Sequence, residues 1–440
     1  MTKKKASSED SGEALVLSVQ KKAWKFFATH VHPTTGLVLD STQPGSPASI
    51  ASVGFALSCY PVAIERGLIA RDVALSHTLA AIRFFDGADQ TGAVDGTGFK
   101  GFFYHFLHPD TGHRAGNSEL STIDTTLLLA GLLVAAQYFT NGSASEREVR
   151  ERAQAIYARV DWRWAQNGGP GVSMGWKPET GFIANRWLGY NEAMLLYVLA
   201  LGAPDFAIGP EAYTAWTADF QWRRLYGQPV LYAGPLFIHQ FSHIWLDLRG
   251  IQDFFMAGKK SDYFQNSRHA TYIHQQYAIR NPRKYDGYQD NCWGFTASDG
   301  PGDAELRIKG RKRKFHGYLA RGAPFGPDDG TISPWAGIAS LPFAPEIVIP
   351  LMRNLKELLG YHPDGMGFHA SCNRTYPGHG SPPGWVAPWH YALNQGPIVL
   401  MVENYCSGLI WRLMRECPPI RLGLKRAGFS KGWLEREFLG

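Results

Sequence analysis

Hydrophobic and polar positions along the chain alternate between two kinds of helical segment. Residues 122–139 are apolar on almost every side, which is typical of a helix buried all round. Residues 145–164 instead carry an apolar stripe and a charged face. The same periodicity predicts helices at residues 13–30, 49–66, 71–86, 122–139, 145–164, 190–202, 209–220, 239–248, 262–280, 336–341, 345–359 and 387–414. We therefore expect apolar inner helices paired with amphipathic outer ones.

The intervening segments predict loops at one end of such a helical assembly. Residues 281–333 are rich in glycine and turn-forming side chains, and a structureless connection of that length is rare. This segment is therefore interpreted as a functional region or as short strands. No strand–helix–strand alternation and no Rossmann or Walker glycine motif occurs. The pattern predicts an all-α domain, a toroid of helix pairs, over residues 13–416, preceded by a disordered tail at 1–12 and followed by a C-terminal extension at 417–440.

The chain contains many aromatic residues, including more Trp than a hydrophobic core needs. The 440 residues include 14 Trp, 19 Tyr and 25 Phe. Such rings pack on the C–H faces of sugars, although large core anchors explain them equally well. The net charge of +6 is mild and concentrates at residues 3–5 and 309–314, so no nucleic-acid partner is expected.

Cysteine usage and hydropathy limit the class of protein further. The five cysteines are an odd number without CxxC spacing, which argues against a disulfide framework or a structural zinc site. No signal core and no apolar run of ~18 residues is visible. We expect a cytoplasmic protein without a membrane partner, or a periplasmic one if a signal has been removed.

Glu192 is the leading candidate for chemistry. It is predicted in the first turn of a helix that begins near Tyr190 and Asn191, after a loop containing Trp187. A carboxylate there is stabilised by the helix dipole, whereas aromatic walls raise a carboxyl pKa towards neutrality and suit a general acid. The alternative is that Glu192 only caps the helix.

Further carboxyl groups stand where an apolar helix would not favour them. Glu119 precedes the helix at 122–139, and Asp124 lies in its first turn; capping explains one acid, and Asp124 needs a partner if buried. Glu403 lies in another apolar helix. Asp290 and Asp299 flank a segment dense in side chains that bind sugar hydroxyls, whose alternative role is to form turns.

A histidine pair raises the question of a metal. His239 and His243 are spaced i, i+4, which can bind a metal, but the glutamate of an HExxH motif is missing. Hydrogen bonding is the preferred interpretation. No metal and no cofactor are expected.

Eight motifs, in order from about Trp24 to Trp411, resemble those of the bacterial glycoamylase-like family. They are SELSTIDT at 118–125, YNEA at 190–193, GPLF at 234–237, RGIQD at 249–253, NSR at 266–268, WGFTASDGP at 293–301, DGTI at 329–332, and QGP at 395–397 with ENY at 403–405. The resemblance implies an (α/α)6 toroid. It also implies action on β-1,2-glucans, since the family includes endo-β-1,2-glucanases and the transglycosylating domain of cyclic β-1,2-glucan synthases.

The resemblance also assigns roles to residues. Glu192 matches the acid that protonates the glycosidic oxygen, and Asp124 matches the acid at the subsite where the bond breaks. Asn394 stands where an aspartate base is expected, and an amide cannot accept that proton. The base is then Glu403, Asp124 or Asp290, or the reaction geometry differs.

The resulting prediction is an endo-acting, inverting glycoside hydrolase on β-1,2-glucan, a monomer or weak homodimer, with Glu192, Asp124 and Glu403 as its catalytic candidates. A transglycosylase and a catalytically impaired glucan-binding protein are the alternatives. The substrate-binding candidates are Glu119, Trp187, Tyr190, His243, Arg249, Asp253, Asp290, Trp293, Asp299 and Asn394.

Overall fold

The computed structural model describes residues 12–361, 363–378 and 384–435. The predicted tail at 1–12 lies outside these residues except for Gly12, which begins the first helix. The α-helices are α1 Gly12–Thr29, α2 Ile50–Glu65, α3 Arg71–Asp86, α4 Thr122–Tyr138, α5 Ala144–Ala158, α6 Trp162–Gln166, α7 Met194–Gly202, α8 Pro210–Thr217, α9 Phe241–Trp245, α10 Phe254–Gly258, α11 Tyr263–Arg280, α12 Pro334–Ile338, α13 Pro345–Leu359, α14 Ala392–Cys406, α15 Leu409–Arg415 and α16 Pro418–Arg426.

The helices form two concentric rings. The inner ring contains α2, α4, α7, α9, α12 and α14, in which α2 packs on α4, α4 on α7, α7 on α9, and α14 on α2, α9 and α12. The outer helices α1, α3, α5, α8, α11 and α13 alternate with them along the chain. Helix α7 is buried along its whole length, whereas the outer α5 buries one stripe. This arrangement is the predicted (α/α)6 toroid.

Glycines allow two inner helices to touch backbone to backbone. A Cβ atom on Gly131 of α4 would lie 2.2 Å from the carbonyl oxygen of Gly54 in α2, and one on Gly54 would lie 2.2 Å from the oxygen of Leu127. Real Cβ contacts are never that short, so only glycine fits at either position. The α2–α4 seam is therefore set by two residues without side chains.

Short strands collect around the loops, as predicted for residues 281–333. Their bounds are β1 Ala48–Ser49, β2 Gly98–Phe99, β3 Phe102–Tyr104, β4 Phe106–Leu107, β5 Leu120–Ser121, β6 Gly175–Lys177, β7 Gly181–Phe182, β8 Trp222–Leu225, β9 Gln228–Leu231, β10 Ala297–Ser298, β11 Ala304–Ile308, β12 Arg311–Phe315, β13 Leu319–Ala320, β14 Thr331–Ile332, β15 Cys372–Asn373 and β16 Trp385–Val386. The largest sheet is antiparallel in the order β2-β3-β5-β6-β7.

Two predicted helices are interrupted in the structure. The helix expected at 145–164 ends at Ala158, and the Asp161 side chain caps α6 by accepting a hydrogen bond from the Trp164 amide. The helix expected at 387–414 begins at Ala392 and breaks at Gly408, whose φ of +69° is left-handed. Side-chain capping and a left-handed glycine end helices that periodicity alone would continue.

The basic run at residues 309–314 lies on the β11–β12 hairpin. Two of its lysines are paired, Lys309 with Asp286 and Lys312 with Glu305, each at an exposed site. Glu305 on the hairpin and Asp286 outside it therefore compensate part of the charge of the basic run. Among the described residues, no helix has the combination of length and apolar character that crossing a membrane requires.

Candidate active site

A cleft of about 410 Å³ opens where the inner helices begin, a size typical of ligand sites. Asp124 lies in the first turn of α4, Trp335 is the second residue of α12, and Asn394 the third of α14. Helix N-termini carry partial positive charge, so this end of the barrel favours anionic groups. The polar lining residues are Asp40, His105, Asp124, Glu192, Ser298, Asp299, Tyr318, Tyr391 and Asn394, and aromatic walls come from Phe106, Phe237, Phe241 and Trp335.

Glu192 lies in a turn before α7 rather than in its first turn as predicted. The Asn191 side chain accepts a hydrogen bond from the Ala193 amide at 3.1 Å, and α7 begins only at Met194. The Glu192 carbonyl accepts from the Ser242 hydroxyl at 3.0 Å. These contacts fix the backbone around Glu192, and its side chain lines the cleft.

Burial raises the pKa of Glu192 from its ordinary 4.5 to about 7, and the nearby Asp124 carboxylate adds to this shift. Trp187 and Tyr190, which the sequence predicts as aromatic walls around this carboxyl, do not line the cleft. A carboxyl group that retains its proton near neutral pH is suited to protonate a leaving group.

Asp124 is the best-anchored carboxylate in the cleft. Its amide donates to Ser121 Oγ at 3.1 Å, and Ser121 Oγ donates to Asp124 Oδ2 at 2.6 Å. His105 Nε2 lies 3.6 Å from the same Oδ2, while His105 Nδ1 lies 3.0 Å from Glu119 Oε1. These ligand-type atoms lie within 4.8 Å of one another, but both ring nitrogens already face carboxylates. Hydrogen bonding and charge account for the cluster without an ion.

Two more carboxyl groups face the cleft. Asp299, a predicted binding residue, accepts a hydrogen bond from the Tyr391 hydroxyl. Asp40 was not predicted; burial raises its pKa to about 6, against the attraction of His105 and with the repulsion of Asp124 and Asp299. Acids in environments this different can divide the roles of proton donor and acceptor.

Glu403, a predicted catalytic residue, lies outside the cleft lining. It is nine residues beyond Asn394 on α14, ~14 Å along a helix. Arg66 Nε and Nη2 donate to its carboxylate at 2.8 and 3.1 Å, and Gln20 and Ser407 donate as well. The Glu403 carboxylate is therefore neutralised by its ion pair with Arg66 and does not line the cleft.

Asp290, the remaining candidate for a base, is exposed and also lies outside the cleft lining. Its carbonyl accepts from the indole of Trp293 at 3.1 Å and from Gln275 at 2.8 Å. Trp293 is fully buried. Asp290 and Trp293 therefore fit the alternative in which this segment forms turns and does not bind a sugar.

Other predicted binding residues likewise hold the scaffold. Asp253 caps α10 and accepts hydrogen bonds from two tyrosine hydroxyls. Arg249 pairs with Asp247 at 2.8 Å and lies over the Trp411 ring. Polar side chains interpreted from the sequence as sugar ligands thus stabilise contacts between parts of the scaffold.

The remaining three predicted residues lie outside the cleft lining; Trp187 and His243 are buried, and Tyr190 is partly buried. Trp187 Nε1 donates to Thr122 Oγ1 at 3.0 Å, which ties its loop to the start of α4. Tyr190 contacts His239 at 3.3 Å, and His243 Nε2 lies 3.0 Å from Ser267 Oγ. The two histidines form hydrogen bonds with separate partners, as the sequence predicted.

Several cleft residues were missed by the sequence analysis. Asp40 ends an apolar run, and His105 interrupts the aromatic run at 102–106; a polar residue in an apolar context was the available signal. Tyr318 and Tyr391 lie in loops with no such signal. Of the predicted residues, Asp124, Glu192, Asp299 and Asn394 line the cleft, and Glu119 contacts His105 behind it.

The chain is similar to known proteins in sequence and in fold. The model of the glycoamylase family, described as "Putative glucoamylase", matches residues 184–418. An exo β-1,2-glucooligosaccharide sophorohydrolase (non-reducing end) from Parabacteroides distasonis is 28% identical over 450 residues, covering 94% of this chain. The chain spans 58% of the length of that relative.

Solved structures are similar over nearly the whole chain. A "putative glucoamylase" from Bacteroides uniformis has a TM-score of 0.86 at 29% identity, with 98% of this chain and 100% of that chain covered. The endo-β-1,2-glucanase from Chitinophaga pinensis, solved with sophorotriose and glucose, has a TM-score of 0.83 at 26% identity, with 96% and 99% covered.

Proposed function

Because the chain belongs to the glycoamylase family, we propose that it is a glycoside hydrolase that cleaves β-1,2-linked glucans with Glu192 as its general acid. The observation that carries this proposal is the Glu192 carboxyl, whose pKa burial raises to about 7, in a cleft that also holds Asp124. The substrate class rests on the two β-1,2-glucan-acting relatives.

In the proposed reaction, Glu192 transfers its proton to the glycosidic oxygen as the bond to the anomeric carbon breaks. A water molecule attacks that carbon from the opposite face and gives a proton to Asp124, so the configuration inverts. Asp124 is favoured among the three bases that the sequence left open, because Glu403 and Asp290 lie outside the cleft lining.

We further propose endo action. This mode of action is that of the Chitinophaga pinensis endo-β-1,2-glucanase, which is similar over 96% of this chain at a TM-score of 0.83.

Glu192→Gln tests the assignment of the acid. The amide keeps the shape but has no acidic proton, so kcat on linear β-1,2-glucan should fall by ~10²–10⁴-fold, with KM little changed. Glu211→Gln, the same change at an exposed position in the first turn of α8, is the matched control. A Glu192→Gln enzyme that retains most of its activity rules out Glu192 as the acid.

A further inference from the structure

We propose that His105 is a positioning residue whose imidazolium places a positive charge beside the Asp124 carboxylate and holds that carboxylate turned to the cleft, a role that rests on the proposed function. His105 does not take part in bond breaking. It acts through Asp124, which it contacts, and thereby separates the role of base from the role of acid.

The backbone of His105 is fixed from two sides. It lies between β3 and β4, its amide donates to the Glu119 carbonyl at 2.8 Å, and its carbonyl accepts from the Ile50 amide at 3.2 Å. Ile50 is the first residue of the inner helix α2. The imidazole stacks on Phe106, with ring centroids 3.9 Å apart and planes within 14°. The ring therefore has a defined position and orientation beside the cleft.

Both ring nitrogens face carboxylate oxygens. Nδ1 lies 3.0 Å from Glu119 Oε1, and Nε2 lies 3.6 Å from Asp124 Oδ2. A neutral imidazole has one N–H and no net charge, whereas the imidazolium carries an N–H on both nitrogens, so it can hydrogen-bond to Glu119 and form an ion pair with Asp124 at the same time. The geometry therefore selects the charged form.

The surrounding charges support the same protonation state. Burial alone lowers the pKa of His105, but the Asp124 and Glu119 carboxylates, together with Asp40, outweigh it and raise the pKa to about 9. Lys177 beside Glu119 and the titratable Glu192 beside Asp124 also face this cluster. The ring therefore stays charged across the neutral range.

The contacts of Asp124 explain what this charge does. Oδ2 receives the Ser121 hydroxyl at 2.6 Å and faces the imidazolium, so Oδ1 is the atom available to a water molecule in the cleft. Glu192 lies in the same cleft, but the groups that shift its pKa do not include His105. One cation placed beside one of two acids favours ionisation of that acid and leaves the other protonated.

His105→Gln tests the inference through the pH profile of kcat/KM on the glucan that the wild type cleaves. Loss of the cation should move the acidic limb upward by roughly one to three pH units, so that it approaches the basic limb and the profile narrows. His108→Gln, three residues away at an exposed position, should leave both limbs in place. A His105→Gln profile that is scaled down with unchanged limbs overturns the inference, since a purely structural role predicts that result.

A second measurement needs no variant and no activity. Titration of the histidine ring signals of the wild-type protein by NMR should show His105 still as imidazolium at pH 7.5, losing its proton near pH 9. A His105 ring that is neutral at pH 7 overturns the inference even if the glucan is cleaved. Conversely, a charged ring in a protein that does not cleave β-1,2-glucan contradicts the proposed function and leaves the imidazolium itself established.

Discussion

At the scale of a single residue, the protonation state of Glu192 makes catalysis depend on pH. The acid must carry its proton to act, and burial raises its pKa to about 7. Below that pH most of the enzyme holds the proton, and above it the proton is lost. We therefore expect kcat/KM to fall as the pH rises through about 7. Activity that stays constant up to pH 9 would contradict this assignment.

For Glu403 we predict the opposite: it stabilises the folded protein and has no role in catalysis. Its carboxylate is 2% exposed and pairs with Arg66 at 2.8 Å. Breaking a buried pair by removing one charge typically costs about 3–5 kcal/mol. Glu403→Gln should therefore lower the free energy of unfolding in a urea titration while kcat of the folded fraction is unchanged. A loss of kcat without loss of stability would return Glu403 to the catalytic candidates.

Tyr318 is expected to contact the substrate. It lines the cleft yet is 72% exposed, an unusual state for a large aromatic ring. If a glucosyl unit packs on it, Tyr318→Ala should raise KM roughly three- to tenfold, equivalent to ~0.5–1.5 kcal/mol, and change kcat little. Phe325→Ala is the control, because Phe325 is 63% exposed and lies outside the cleft lining. Equal effects of the two variants would exclude the contact.

At the scale of elements, the α2–α4 seam determines how closely the inner helices pack. Gly131→Ala would place a methyl group 2.2 Å from the Gly54 oxygen and should destabilise the protein by about 1–3 kcal/mol. Gly258→Ala is the matched control, since nothing lies within 4 Å of its added Cβ atom. Thermal denaturation measures both. Similar melting temperatures for Gly131→Ala and the wild type would mean that the helices separate without cost.

Periodicity predicted the helices well where their ends depend on the chain itself. The expected segments at 71–86 and 345–359 match α3 and α13 in both bounds. Periodicity failed where the end of a helix is determined by a side chain that is not part of the periodic pattern. The start of α7 is set by Asn191, which binds the Ala193 amide, and this local competition with the helix is not visible in hydrophobic spacing.

At the scale of the whole molecule, the barrel collects the cleft from residues far apart in sequence. Asp40, His105 and Tyr391 reach the same space as Glu192 only because the rings of helices close. Motifs could locate Asp124, Glu192 and Asp299, whose neighbours in sequence resemble a family pattern. They could not separate cleft residues from buried scaffold residues such as Asp253, because both kinds lie within the same motifs.

The shared direction of the inner helices explains how the cleft tolerates its acids. The first turns of α4, α12 and α14 all contribute to the lining, so their positive ends face four carboxyl groups. Each helix end contributes about 0.3–1 kcal/mol to a nearby anion. Together with His105, these ends compensate for an acidic site in a chain whose formal net charge is +6.

The central claim is tested most directly by incubating the wild-type protein with linear β-1,2-glucan and, in parallel, with starch. Product sizes and the anomeric configuration at the new reducing end are followed from the first minutes. We predict cleavage of β-1,2-glucan alone, with a range of oligosaccharides of inverted configuration. Cleavage of starch, or redistribution of chain lengths without new reducing ends, would contradict the proposed hydrolase.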